Sequence, residues 1–223
     1  MRTKARRGMV TLCSLVAASS LIACSGQEPS SQTSIPSLAS PGTAASTSAG
    51  TAPPPSAAPT VSVPPVEEIT TESLSDWDNG YQVVSIPENM DAKQAEAFMY
   101  FMAFDKTVWL AFMNMENSEE TQATMTGEEL QLYQDVFAEF ENQGWRASGF
   151  YSVSVASVSL TADDSAEVLV CTDYTKMKVV NEQGDEVDAR SYQHAYTRTY
   201  QMVKKNGTWL ASKSEELGTD ECA

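Results

Sequence analysis

Two carboxylates, one imidazole and a ladder of tyrosines are the groups of this 223-residue chain whose setting suits acid-base chemistry. Asp105 sits inside an apolar run from Phe98 to Met113, where burial would raise its pKa toward that of a working base. Asp173 follows Cys171 at the same parity of a strand-like stretch, and Tyr192, His194, Tyr196, Arg198, Tyr200 and Met202 alternate along another. Alternation places those six on one face, offering hydroxyls, the single histidine and stacking surface together. Proton abstraction beside a carbonyl needs a base and a donor facing the developing oxyanion, and this set contains candidates for both. Each also has a plainer reading, which is the one expected. Asp105 turns to the solvent side with Lys106, alternating tyrosines pack a half-buried pleated surface, and a lone histidine is a surface or hydrogen-bonded residue. Ser-His-Asp logic, a glycine-rich phosphate loop and metal-ligand spacing are all missing, so no catalytic residue, cofactor or metal is assigned.

The elements that must position these groups are legible from period and punctuation. Asp91 followed by Gln94 reads as a capping pair opening a helix to about Asn117. Its run FMYFMAFDKTVWLAFM is apolar on nearly every side, broken only by Asp105, Lys106 and Thr107, which marks a helix wrapped by the rest of its fold. Thr126 with Glu129 reads as a second capping box, after which Leu130, Tyr133, Phe137 and Phe140 recur at spacings of three and four up to Gly144. The period then changes to two. Turn signals at 162–165, 182–185 and Asn206-Gly207 predict four strands near 145–160, 166–180, 190–204 and 208–214, joined as an antiparallel meander. All four Trp, eight Tyr and seven Phe lie after residue 66, which is enough for one domain with one core over 67–223.

The beginning of the chain concerns place rather than chemistry. Arg2, Lys4, Arg6 and Arg7 precede an apolar run from Met9 to Ala23, the layout of a secretory signal covering 1–23. At about fifteen residues it is short of the roughly 20 a membrane-spanning helix needs. Leu21-Ile22-Ala23-Cys24 resembles the lipobox cleaved by lipoprotein signal peptidase, which implies lipidation of the Cys24 thiol; an ordinary secretory signal with a chance cysteine is the alternative. Two or three acyl chains, each buried CH₂ contributing ~0.8 kcal/mol, hold a protein durably at a membrane. Residues 24–66 reduce to Ser, Thr, Ala, Pro and Gly with almost no charge and no aromatic, a disordered tether of ~35 Å root-mean-square span that is also a candidate for O-glycosylation. Cys171 and Cys222 are then the only thiols left in the exported part. In an oxidising space they suggest one disulfide, two buried unpaired thiols being the alternative. Without the four leading bases, ten Lys and Arg face thirty Asp and Glu, a net charge near −20 that repels nucleic acid.

Helices first, then a long curved antiparallel sheet with one helix apolar enough for its hollow, is an order that resembles the nuclear transport factor 2-like cone, shared with ketosteroid isomerase and small polyketide cyclases. Val170-Cys171-Thr172-Asp173-Tyr174, Lys178 to Asp185, Gly207-Thr208-Trp209-Leu210 and the closing Cys222 are similar to uncharacterised actinobacterial lipoproteins of that fold. The resemblance covers most of 88–223 and rests on strand and turn texture plus two cysteines, so it implies an α+β cone and the disulfide without implying an activity. The expected protein is an envelope lipoprotein on the outer face of a bacterial cytoplasmic membrane, whose domain is a non-catalytic binding or interaction module. Its partner is an unknown envelope protein or a small apolar ligand. The competing reading is a small-ligand carrier or an isomerase- or cyclase-like enzyme using the cone pocket. An open cavity reaching Asp105, His194 or the face of Tyr192, Tyr196 and Tyr200 favours that reading, whereas a mouth plugged by Trp109, Phe112 or Trp145 favours the first. Oligomeric state is left open.

Overall fold

Capping and period decide the two long helices. In the computed structural model, which describes residues 60–222, Asp91 accepts hydrogen bonds from the Lys93 and Gln94 amides while the Gln94 side chain accepts from the Asp91 amide. The capping box read from the sequence is therefore formed. The expected signal segment, Cys24 and the part of the expected tether up to residue 59 lie outside the described residues. In chain order the elements are a short α1 (Thr71–Leu74), β1 (Tyr81–Ser85), α2 (Ala92–Asn114), a one-turn α3 (Glu119–Gln122), α4 (Gly127–Gln143), β2 (Arg146–Gly149), β3 (Tyr151–Ala162), β4 (Ser165–Asp173), β5 (Met177–Val180), β6 (Ala195–Lys205) and β7 (Thr208–Thr219).

The fold is α+β, with helices against one side of a large, mostly antiparallel sheet ordered β1-β3-β4-β6-β7. Irregularities of register in β3/β4 and in β6/β7 bend the long strands, as extra residues in one strand of a pair do. Ala95, Phe98, Phe101, Met102, Phe104, Trp109 and Ala111 of α2 are buried, and α4 adds Tyr133, Phe137 and Phe140. No helix among the described residues is long and apolar enough to cross a membrane.

Three expectations need correction. The sheet has five strands rather than four, because β1 joins β3 as a parallel edge strand, Tyr81 lying opposite Tyr151. Gly80, in the left-handed conformation, makes that landing possible: a Cβ there would collide with the Gly149 carbonyl oxygen, and Gly80 O accepts from the Tyr151 amide at 2.9 Å. The first two expected strands are each broken, into β2/β3 and β4/β5. At Gly149 (φ +82°), whose would-be Cβ lies 2.7 Å from Lys176 O, the hairpin kinks and β2 pairs with β5 as a separate two-stranded sheet. The expected third strand also starts late, since residues 190–192 form a 3₁₀ turn and β6 begins at Ala195.

The Thr126/Glu129 capping box does not form either. Thr126 makes no side-chain cap bond and instead accepts from Lys205 Nζ at 3.1 Å, while Glu129 is buried. Elsewhere the punctuation holds: Gly144 ends α4 in the left-handed conformation, and Asn206 and Gly207, both with positive φ, close the β6/β7 hairpin. Cys171 on β4 and Cys222 after β7 form a disulfide with their Cα atoms 5.5 Å apart.

Candidate binding cavity

A helix turns about 100° per residue, so Asp105 and Lys106 need not share a side, and here they do not. Asp105 falls in phase with Phe101, Met102 and Trp109 and is buried with them, whereas Lys106 reaches outward to Asp76 at 2.8 Å. The expectation that Asp105 turns to solvent is thus overturned. The signal was present in the i±4 spacing of Phe101, Asp105 and Trp109, but the adjacent lysine masked it.

Inside, the Asp105 carboxylate accepts two hydrogen bonds, from Tyr81 OH to Oδ2 at 2.8 Å and from Tyr151 OH to Oδ1 at 2.7 Å. Those tyrosines lie opposite each other in the β1/β3 register, so one pairing of strands delivers both donors to one acid. Trp109, four residues on from Asp105, stacks on Tyr151 with ring centres 5.4 Å apart and donates its Nε1 hydrogen to Asn79 O. Burial raises the Asp105 carboxyl to about 6, with the Tyr151 and Tyr81 hydroxyls and the charge of Arg198 pulling the other way.

Asp105 forms part of the wall of a cavity of about 330 Å³. α2 contributes Phe104, Val108, Trp109 and Phe112; α4 contributes Glu129, Leu132, Tyr133, Val136 and Phe140; the sheet contributes Tyr151, Tyr196, Arg198 and Tyr200. Tyr196, Arg198 and Tyr200 descend β6 at alternate positions, the first two half-buried and Tyr200 fully buried, while Leu132 and Ser191 of the lining are exposed. The Arg198 guanidinium lies 4.3 Å from the centre of the Tyr196 ring, a cation–π contact that holds it along the wall. Trp109 and Phe112 are wall rather than plug. Phe112 is fixed edge-on against Tyr133 and Phe140, and Trp145 packs behind Phe140.

Not every sequence candidate arrives there. Tyr192, Tyr196 and Tyr200 line the cavity, but His194 and Asp173 lie outside it. His194 Nδ1 is 3.0 Å from Asp220 Oδ2 at the surface, and Asp173 Oδ1 accepts from the Thr175 amide and hydroxyl in the turn beyond β4. Asp173 shares parity with Cys171, and both point away from the hollow that Val168, Val170 and Thr172 face from within β4. Conversely, Tyr81, Glu129 and Tyr133 belong to the site or its support and were not singled out for it. Glu129 read as a cap, Tyr133 as one ring in an apolar stripe, and Tyr81 precedes the region where strands were expected.

Glu129 and Tyr133 differ from the rest of the wall in one respect. Glu129 Oε2 and Tyr133 OH are sequestered side-chain atoms with no hydrogen-bond partner. Burial raises the Glu129 pKa against the opposing effects of Ser214 and Arg198, and it pushes the Tyr133 hydroxyl up to about 12.

A curved sheet with helices in its hollow and a cavity between them defines the nuclear transport factor 2-like, or cystatin-like, cone. The family model of the ARC6-like, IMS domain matches residues 107–212, just under half of the chain. A comparison with curated proteins finds no match. Among solved structures the chain is similar to the intermembrane space region of the chloroplast protein ARC6, at 22% identity and a TM-score of 0.44, over 58% of this chain and 98% of that one. It is also similar to a ketosteroid isomerase-like protein from Erwinia carotovora atroseptica SCRI1043, at 14% identity and a TM-score of 0.40, over 58% of this chain and 99% of that one. A third is a protein of unknown function with a cystatin-like fold from Nostoc punctiforme PCC 73102, at 15% identity and a TM-score of 0.32, over 53% and 88%. These values assign no activity.

Proposed function

We propose that this chain is a lipid-anchored binding protein of the bacterial envelope, whose cone cavity holds a small, mostly apolar molecule without transforming it. The observation that carries the binding half is the cavity itself: about 330 Å³, walled by aromatic and aliphatic side chains, with a few polar groups among them. Specific small-molecule sites have that size and composition. Binding without turnover is favoured because Asp105, the acid of the apolar helix, already accepts a tyrosine hydroxyl on each oxygen. Those bonds stabilise the carboxylate and weaken its pull on a substrate proton.

The anchoring half rests on the signal-like residues 1–23 and Cys24, and the Cys171–Cys222 disulfide supports an oxidising compartment. The match to an IMS domain family agrees with a place outside the cytoplasm.

The test uses the purified full-length chain and the neutral probe N-phenyl-1-naphthylamine, whose fluorescence rises in apolar surroundings. Saturable one-to-one binding is expected, and it disappears in a folded Val108→Trp variant whose indole fills the cavity. No saturable binding, or binding unchanged by that substitution, overturns the proposal. For the anchor, the wild type is expected to sediment with membranes and Cys24→Ala to be released; sedimentation of both alike rejects it.

A further inference from the structure

We infer that the molecule this cavity selects is a neutral, mostly apolar ring compound bearing a hydroxyl group, held at that hydroxyl between Glu129 and Tyr133. The inference rests on the cavity being a ligand site and adds the chemical class of the ligand. Two observations carry it.

The first is the pair of unmet atoms. Glu129 and Tyr133 lie four residues apart on α4, both line the cavity, and they are 7% and 5% exposed. At that spacing two helical side chains sit one above the other with their Cβ atoms about 5–6 Å apart. Glu129 Oε2 is an acceptor without a donor, and Tyr133 OH is a donor without an acceptor. Leaving such groups buried and unpaired is costly unless something else completes them. A hydroxyl is the smallest group that does both, donating to the carboxylate and accepting from the phenol.

The second is the charge around the pair. Arg198 lines the same cavity and already acts on Glu129 as a counter-charge, so an added ammonium would meet a resident cation. A carboxylate ligand would meet Glu129 and Asp105. A neutral hydroxyl avoids both repulsions, and the aromatic wall of Phe112, Phe140, Tyr174 and Tyr200 accepts the ring that carries it.

The test compares naphthalene, 2-naphthol and 2-naphthylmethylammonium on the purified full-length chain by competition with N-phenyl-1-naphthylamine. Wild type is expected to bind 2-naphthol about tenfold more tightly than naphthalene, the ratio that one recovered hydrogen-bond pair of about 1.4 kcal/mol produces. In Glu129→Met and in Tyr133→Phe that ratio, taken between naphthol and naphthalene within each variant, is expected to fall to about threefold or below. Equal binding of naphthol and naphthalene by wild type overturns the inference while leaving the cavity a ligand site, and it requires no variant to fold. Tightest binding of the ammonium compound, or an undiminished naphthol preference in folded Glu129→Met, also overturns it. Failure of all three compounds and of the competing probe removes the cavity reading itself.

Discussion

Asp105 and Glu129 are both carboxylic acids buried in the wall of one cavity, yet they are held in opposite ways. Asp105 lies where α2 meets the β1/β3 pairing and accepts a tyrosine hydroxyl on each oxygen. Glu129 lies on α4 with Oε2 unpartnered, one turn from an equally unpartnered tyrosine. The contrast separates a polar group that joins elements from one that is left for something else to complete. Asp105 ties a helix to two strands distant in sequence, so part of its desolvation is offset inside the protein. Glu129 has Ser214 and Arg198 acting on it, but the cost of its bare Oε2 is recovered only when a partner enters.

The largest test of that contrast is Asp105→Ala. It leaves two buried hydroxyls without their acceptor and is expected to destabilise the domain by about 3–5 kcal/mol, read from urea unfolding. A loss below about 1 kcal/mol would remove Asp105 from its joining role.

The next effect is in pH. The Asp105 carboxyl stands at about 6 in the folded chain against 3.8 as the ordinary value. A raised acid pKa means the folded state binds the proton more tightly, so Asp105 places no burden on stability below pH ~4 and costs about 3 kcal/mol above pH ~6. Other carboxylates with lowered pKa, such as Asp76 and Asp220, act with the opposite sign. The measurement is therefore the difference between wild type and Asp105→Asn, which is expected to drift against wild type's favour between pH 4 and pH 6 and to level off above. A flat difference across that window contradicts the assignment.

Smaller still, Tyr151→Phe and Tyr81→Phe each remove one donor from a buried carboxylate and are expected to cost about 1.5–3 kcal/mol. Tyr133→Phe removes a hydroxyl that bonds to nothing and is expected to change stability by less than about 0.5 kcal/mol or to raise it. Three buried tyrosines, alike in chemistry, thus separate by their partners. Equal losses at Tyr133 and Tyr151 would erase the distinction between the two acids.

Much of the frame was readable in advance because it depends on local chemistry. Asp91 and Gln94 close a cap within four residues, Gly144 ends a helix, and Asn206-Gly207 turns a hairpin; each acts over a distance the sequence itself spans. The alternation of Tyr196, Arg198 and Tyr200 likewise carries over directly to one face of β6, since strand parity is a property of the backbone. Misreadings occurred where two local explanations competed. Glu129, three residues after Thr126, satisfies a capping pattern on paper, and Lys106 beside Asp105 suggests a solvated pair. Only packing decided that both acids point inward.

What the residue string determined by itself, then, was an acidic α+β chain of two long helices and a bent meander, with two thiols placed to pair. Those features follow from short-range sterics, hydrogen-bonding propensity and composition. What the tertiary structure decided was the site. Tyr81, Asp105 and Tyr151 are separated by 24 and 46 residues along the chain, and they meet because β1 lands parallel on β3 beneath α2. The cavity wall, the two completed oxygens of Asp105 and the unfinished pair on α4 arise from long-range contacts whose free energy belongs to the whole fold, which no window of sequence contains.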